Sequence, residues 1–140
     1  MTASTSYRLE EGLKRRLAEQ AVAEGVTETA LVTRVLDEGL KTAGHPGIVY
    51  RDGATGRRAA LAGGPDVWEV VLAVRSALGS EDAKVRDAAE QMGLAERLVR
   101  VAVNFAAAHP DEIEHRLAMN EKAAERAREL AEQRGRLLAS

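Results

Sequence analysis

The sequence predicts a mainly α-helical chain: a short N-terminal strand leading into two helices, then a second helical domain with a small β-hairpin and a helix-turn-helix-like pair of helices. Three observations indicate this. Aromatic residues make up only 3% of the chain and hydrophobic residues 45%, so Ala, Leu and Val must build the core, which favours closely packed helices. Residues 4–9 alternate in character with the period of a strand. Gly and Pro residues then separate a series of segments whose apolar residues have helical spacing.

The first element is the strand in "STSYRLEEGL", whose side chains divide into two faces. Thr5, Tyr7 and Leu9 point one way, and Ser4, Ser6 and Arg8 point the other. No neighbouring strand follows in the sequence. We therefore expect this strand to pair with a second copy of itself, which predicts a homodimer or a higher multiple of it.

Two helices complete a first domain, residues 1–44. The first covers about residues 10–24 and ends at Gly25, because Gly adopts the left-handed conformation at little cost, and Val26 can make the hydrophobic contact behind it. Thr27 then caps a second helix over about residues 28–42. Its apolar positions are predicted to be buried: Leu31, Val32, Val35, Leu36 and Leu40.

A second domain, residues 45–110, follows the linker around Gly44, Pro46 and Gly47. Residues 48–50 and 57–61 are predicted to form a hairpin around a Gly-bounded loop. A helix comes next, with Pro65 in its first turn and Gly79 at its end. Ser80 caps a further helix through about residue 92, and another runs over about residues 95–108.

The segment "VRDAAEQMGLAERLVRVAVNF" has helix-turn-helix spacing, with Ala89 as the small residue, Gly93 in the turn and Val99 buried. Arg97 and Arg100 are the side chains that would contact DNA, although Glu90 and Glu96 flank the turn. The alternative, a packed structural pair of helices, is the one we favour.

The last segment, residues 111–140, is predicted to be an amphipathic helix dominated by Ala. Its stripe follows spacings of three, four and seven: Ile113, Leu117, Asn120, Ala124, Ala127, Ala131 and Leu138. Such a stripe buries little area by packing on itself. We expect it to lie against a partner surface, and the alternative is packing against its own domain.

Composition narrows the classes of protein. The chain has no Cys, which excludes disulfides and thiolate metal sites and fits a reducing compartment. A net charge of −2 argues against non-specific coating of nucleic acid but allows specific DNA binding. The N-terminus lacks a signal pattern, and no apolar run approaches the roughly 18 residues that span a bilayer. We expect a cytoplasmic protein that does not contact membranes.

The first forty-odd residues resemble a ribbon-helix-helix domain, the fold of the CopG, Arc and MetJ repressors, in "TSYRLEEGLKRRL", "AEGVTETALV" and "TRVLDEGLK". The resemblance implies that two strands form an antiparallel ribbon that enters the major groove of operator DNA. Ser4, Ser6 and Arg8 would then face base edges. The backbone amides of Thr27, Glu28 and Thr29 would hold a phosphate. The alternative is an edge strand with solvated side chains.

The charge of this first domain limits its affinity for DNA. Residues 1–44 carry six Lys or Arg against seven Asp or Glu, and Glu28 lies beside the implied phosphate site. We expect modest affinity per dimer and several dimers on one operator.

Most of residues 45–128 resemble a domain that accompanies PIN-like ribonuclease toxins, in "HPGIVYRDGATGRRAALAGGPDVWEVV" and "VNFAAAHPDEIEHRLAMNEKAAERA". The resemblance implies a VapB-like antitoxin of a type II toxin-antitoxin system, which represses its own promoter and neutralises the toxin. Alternation predicts that Arg57 and Arg58 lie on opposite hairpin faces, so that at least one is exposed. The predicted partner-binding residues are Arg57, Arg58, Ile113, Leu117, Asn120, Leu130 and Leu137.

Two other functions remain open on the sequence: a stand-alone ribbon-helix-helix repressor whose second domain senses a ligand or only oligomerises, and an assembly protein that binds no DNA. Enzymatic activity is not expected, because His45, His109 and His115 are not accompanied by a nucleophile or paired carboxylates. The Gly-rich "RDGATGRR" lacks the Lys-Ser/Thr of a P-loop. The sequence predicts no cofactor and no metal site.

Overall fold

The computed structural model describes residues 2–139 and divides the chain into two compact units, Met1–Gly44 and His45–Ser140, called unit 1 and unit 2 below. The described residues are mainly helical with one small antiparallel sheet, as the sequence predicts. Unit 1 holds α1 (Glu11–Glu24) and α2 (Glu28–Thr42). Unit 2 holds β1 (Ile48–Arg51), β2 (Arg58–Leu61), α3 (Val67–Ser76), α4 (Glu81–Met92), α5 (Glu96–Ala108) and α6 (Pro110–Leu138).

The turn between α1 and α2 forms as predicted from local signals. Gly25 has φ 68° and ψ 32°, in the left-handed region, and the Val26 N–H donates to the Ala21 carbonyl at 3.0 Å. The Thr27 hydroxyl accepts the Ala30 N–H at 3.0 Å and so caps α2. An ion pair between Arg34 and Glu24, 2.6 Å apart, joins the two helices.

The prediction that the whole apolar face of α2 is buried is wrong. Leu31 is buried and Val32 half-buried, but Val35 and Leu36 are each 53% exposed and Leu40 is 77% exposed. Only Ala21 and Leu31 are fully buried among the described residues of unit 1. The physical reason is geometric: two short helices can cover only one narrow seam between them.

Residues 2–9 belong to no helix or strand in the structure, and all of them are exposed. A β-strand needs a partner for its N–H and C=O groups, and the one sheet among the described residues lies in unit 2. The N-terminal strand, and with it the ribbon, therefore stays a prediction about a two-chain assembly.

The predicted hairpin is confirmed, with β1 and β2 antiparallel and Ile48 opposite Leu61 at one end and Arg51 opposite Arg58 at the other. The loop between them is closed by Gly53 and Gly56, whose backbone N–H groups donate to each other's carbonyls at 3.1 and 3.0 Å. Gly56 has φ 98°, a conformation that favours glycine.

Both predicted ends of α3 are wrong. Pro65 precedes the helix instead of lying in its first turn, because Asp66 is the N-cap and forms a capping box with Glu69. The helix ends at Ser76, well before Gly79. Ala77 is extended, with φ −85° and ψ 159°, and is buried, so packing of this residue draws the chain away from the helix axis.

The remaining helices begin and end at or next to the residues predicted from the sequence. The Ser80 hydroxyl accepts the Ala83 N–H at 3.2 Å, and Gly93 ends α4 at φ 66°. Helix α6 begins at Pro110, one residue earlier than predicted, and Pro is favourable in a first turn. The core of unit 2 gathers side chains from the hairpin and all four helices, the largest of them fully buried: Phe105, Leu61, Val67, Val70, Val85 and Val99.

Candidate functional site

The predicted base-reading side chains Ser4, Ser6 and Arg8 are all exposed in unit 1. Their neighbours on the other predicted face are exposed as well, and Tyr7 reaches 79%. Both faces of the segment are therefore accessible in a single chain.

The predicted phosphate site lies at the N-terminus of α2. The Thr27 hydroxyl takes the N–H of Ala30. The N–H groups of Glu28 and Thr29 belong to the first turn, where a helix offers no acceptor of its own. Both residues are exposed, so their amides can reach solvent or an anion, with the Glu28 carboxylate beside them.

Unit 1 carries a large set of exposed apolar side chains, which we call the unit 1 apolar surface. It comprises Tyr7, Leu9, Leu13, Val22, Val26, Val35, Leu36 and Leu40. Scattered exposed hydrophobic residues are ordinary on a protein surface. Here eight of them accompany only two fully buried side chains among residues 2–44, so most of the large apolar side chains described in unit 1 are exposed.

The prediction that Arg57 or Arg58 is exposed on the hairpin is wrong. The side chains of both are half-buried and each contacts a carboxylate: Arg57 pairs with Asp52 at 3.3 Å, and Nε of Arg58 donates to Asp66. Alternation does not apply to Arg57, which precedes β2 (Arg58–Leu61), and it does not report the contacts with Asp52 and Asp66 that cover the two side chains. Arg58 in particular is committed to holding the hairpin against α3.

Asp66 is the centre of this contact and was not singled out as a site in the sequence. It is 5% exposed, and its carboxylate accepts from Arg51 Nη2 at 2.8 Å, from Arg58 Nε and from Trp68 Nε1 at 3.2 Å. Its backbone N–H donates to Glu69 at 2.9 Å. The Asp-x-x-Glu capping pattern was the available signal, although it predicts only the cap.

Gly53 is required by the position of Arg58. A Cβ atom on Gly53 would overlap the guanidinium of Arg58, which therefore occupies the space where a side chain would stand. The hairpin loop thus accommodates the arginine that binds Asp66.

The first turns of α6 are fastened to the rest of unit 2. Arg116 donates to the Thr55 carbonyl at 2.8 Å and to the Arg57 carbonyl, which fixes the hairpin loop. The Tyr50 hydroxyl donates to Glu112 at 2.7 Å. Arg75 of α3 bonds Glu114, and this hydrogen bond lowers the pKa of Glu114 and raises the pKa of Arg75.

This attachment divides the predicted partner-binding stripe. Ile113 is buried and Leu117 is half-buried against the same core, so the structure places both inside unit 2. Asn120, Leu130 and Leu137 are exposed. From residue 118 to residue 138 every residue except the half-buried Ala124 is exposed, although Met119, at 37%, is partly covered, and this part of α6 is about 30 Å long.

A groove of about 410 Å³ lies where α6 passes the hairpin loop and α3; we call it the Trp68 groove. Its lining residues are Thr55, Trp68, Arg116, Met119, Asn120, Lys122, Ala123 and Arg126. Three of them are cations and none is a carboxylate. Sequence reasoning missed the groove, because it requires residues 55, 68 and 122 to meet.

The helix-turn-helix-like pair, α4 and α5, has the expected local features: Gly93 is left-handed, and Ala89 and Val99 are buried. Arg100 pairs with Asp82 of α4 at 2.8 Å, which raises the pKa of Arg100. Arg86 lies 3.9 Å from Glu96. These pairs join the two helices to each other, which supports the packed structural alternative.

The structure offers no metal centre within residues 2–139, where no group of three or more His, Asp or Glu residues could hold an ion. The rings of His45 and His109 pack against the buried Phe105, the first edge-on and the second tilted, with centroids 5.3 and 4.8 Å from it. Across the same residues, no helix is both long and apolar enough to cross a membrane.

Comparisons with protein-family models, curated proteins and solved structures find no match to the chain.

Proposed function

We propose that the chain is an antitoxin of a type II toxin-antitoxin system: unit 1 dimerises and binds operator DNA, and unit 2 holds a toxin protein, a PIN-like ribonuclease. The single observation that carries the DNA-binding half is the unit 1 apolar surface. It gives a physical reason for two chains to associate through the segment that resembles a ribbon-helix-helix domain.

Association through unit 1 is energetically reasonable. Full burial of one large apolar side chain stabilises by about 1.5–3 kcal/mol, whereas bringing two chains together costs about 4–15 kcal/mol. Because the eight side chains are 40–83% exposed in a single chain, each gains only part of that figure, and most of them must be covered on both copies to offset the cost. A second copy of unit 1 supplies a complementary apolar surface and a second strand at once.

Pairing of the two N-terminal segments would also create the DNA-reading surface. With Thr5, Tyr7 and Leu9 turned toward the dimer core, Ser4, Ser6 and Arg8 face outward from the ribbon. Arginine makes the commonest specific contact with guanine, through two hydrogen bonds. The first-turn amides of α2 then position the ribbon on the phosphate backbone.

The test of this half is Arg8→Ala on the protein's own promoter. Each lost base contact costs about 1–3 kcal/mol, and the twofold symmetry removes it twice, so we expect sequence preference to disappear. The matched control is Arg15→Ala, which removes the same charge from an exposed position on α1. Mobility-shift titrations measure both variants, and retention of wild-type affinity and preference by Arg8→Ala would contradict the proposal.

The partner-binding half depends on α6. Apart from Ala124, residues 118–138 of α6 are exposed and gain little from packing of their own Ala-rich stripe, and a partner would supply further contacts. Asn120, Leu130 and Leu137 remain candidates on this stretch, whereas Ile113 and Leu117 serve the core. Copurification with the product of the adjacent gene tests this half, and its absence would favour a stand-alone repressor.

A further inference from the structure

We infer that the Trp68 groove binds an acidic peptide segment of the partner protein, one that presents an apolar side chain between carboxylates. The inference deepens the partner-binding half of the proposed function and rests on it. It is independent of DNA binding by unit 1.

The floor of the groove is pre-organised. The Trp68 indole N–H donates to Asp66 at 3.2 Å, and Asp66 is itself held by Arg51 and Arg58. Arg116 fixes the opposite wall by bonding the Thr55 carbonyl and hydroxyl at 2.8 and 3.0 Å. A binding surface held in this way loses little conformational freedom when a ligand arrives.

The charge in the groove is uncompensated. Lys122 and Arg126 lie one helical turn apart on α6, both are exposed, and neither has an ion-pair partner among the described residues. Like charges at this spacing repel each other. An anion seated between them would relieve the repulsion, and the lining contains no carboxylate to do so.

The apolar lining decides the kind of ligand. Trp68, Met119 and Ala123 line the same groove as the cations, a combination that suits a Leu or Phe side chain flanked by Asp or Glu. Nucleic acid fits less well, because its affinity grows with the number of phosphates that cations neutralise. Only two cations are uncommitted here, and Glu121 and Glu125 alternate with them along the helix.

The probe is an acetylated, amidated hexapeptide of sequence Glu-Asp-Leu-Leu-Asp-Glu, titrated into the full chain. Trp68 is the sole Trp of the protein, so its fluorescence reports on the groove directly, and anisotropy of a fluorescein-labelled peptide gives a second readout. We expect saturable binding in both. The comparison ligands are a peptide with Lys at the four acidic positions and an oligothymidylate of eight nucleotides, and neither should bind.

Lys122→Glu combined with Arg126→Glu should weaken peptide binding by at least about tenfold, as reversal of interfacial charges does. The matched control reverses two exposed arginines of α6 outside the groove, Arg128→Glu with Arg134→Glu, and should change binding less than about twofold. Absence of binding at millimolar peptide, equal loss in both double variants, or binding of the oligonucleotide in place of the peptide would each overturn the inference.

Copurification separates this inference from the proposed function. If no partner copurifies with the wild-type chain, the partner-binding role itself fails. If a partner copurifies equally with the wild type and with the Lys122→Glu/Arg126→Glu chain, the role stands and the groove is not its binding site.

Discussion

At the scale of single residues, Asp66 connects three elements through one carboxylate: Arg51 from β1, Arg58 from β2 and Trp68 from α3. A carboxylate this deeply buried is tolerated only when it is fully bonded. The residue therefore holds the hairpin to α3, and with it one wall of the Trp68 groove.

Gly53→Ala tests the contact between Arg58 and Asp66 without replacing either of these residues. The new methyl group would displace the Arg58 guanidinium, and loss of a hydrogen bond to a charged group costs about 1.5–3 kcal/mol of the free energy of unfolding. Urea denaturation followed by Trp68 fluorescence measures the change. In combination with Arg58→Met the effect should not add, because both substitutions remove the same contact.

The control for this experiment is Gly135→Ala, since nothing lies within 4 Å of a Cβ atom at Gly135 in α6. That substitution should stabilise its helix by roughly 0.5–1 kcal/mol. Wild-type stability of the Gly53→Ala chain would contradict the expected displacement, because it would show that the Arg58 guanidinium moves aside without loss of a stabilising contact.

The Glu114 carboxyl gives a prediction about pH. Its hydrogen bond to Arg75 lowers its pKa below the ordinary value of 4.5. A lowered pKa in the folded state means a contribution to stability that is complete above the unfolded pKa and is lost as the pH falls through the folded pKa. Arg75→Gln should therefore raise the pKa of Glu114 in a carboxyl carbon NMR titration, whereas Arg97→Gln should leave that pKa unchanged. An unchanged Glu114 pKa in Arg75→Gln would contradict the contact.

At the scale of elements, helix caps could be predicted from the sequence because their signals are local. Thr27, Ser80 and Gly93 each act within a few residues of their own position, and each cap forms as expected. The ends of α3 could not be predicted in this way. They depend on Asp66 meeting the hairpin and on burial of Ala77, which are contacts between distant segments.

Truncation of α6 tests the role of its exposed part. A chain ending after Asn120 keeps Ile113 and Leu117 in the core, so unit 2 should stay folded, and DNA binding and dimerisation by unit 1 should persist. It should no longer copurify with the partner or neutralise it in co-expression. A chain ending after Arg128 keeps the groove cations and loses Leu130 and Leu137, and so separates the two surfaces. Full neutralisation by the shorter chain would place the partner surface elsewhere.

At the scale of the whole molecule, the largest difference between sequence and structure concerns α2. Its apolar periodicity predicted buried side chains, yet Val35, Leu36 and Leu40 are exposed in one chain. The apolar periodicity of a helix indicates that one of its faces is buried in the native protein. It does not indicate whether the same chain or a second chain buries that face. The exposed face and the unpaired N-terminal segment have a common explanation if the folded unit contains two copies of unit 1.

The candidate binding residues also differ in how far the sequence alone can predict them. Alternation predicts that Ser4, Ser6 and Arg8 share a face of a strand, and because residues 2–9 form no strand in a single chain, this stays a prediction. The Trp68 groove could not be predicted, because residues 55, 68 and 122 meet only in three dimensions. A surface that depends on local pattern can thus be proposed from the sequence, whereas a groove that depends on tertiary packing cannot.

Sedimentation equilibrium of the full chain at micromolar concentration tests the central claim most directly, because the proposed DNA-reading surface exists only in a dimer. The chain has a mass of 15.0 kDa, and we predict twice that mass or a multiple of the dimer. Leu36→Glu, which places a charge on the unit 1 apolar surface, should dissociate it. A wild-type chain that sediments as a monomer while circular dichroism shows it folded would contradict the account.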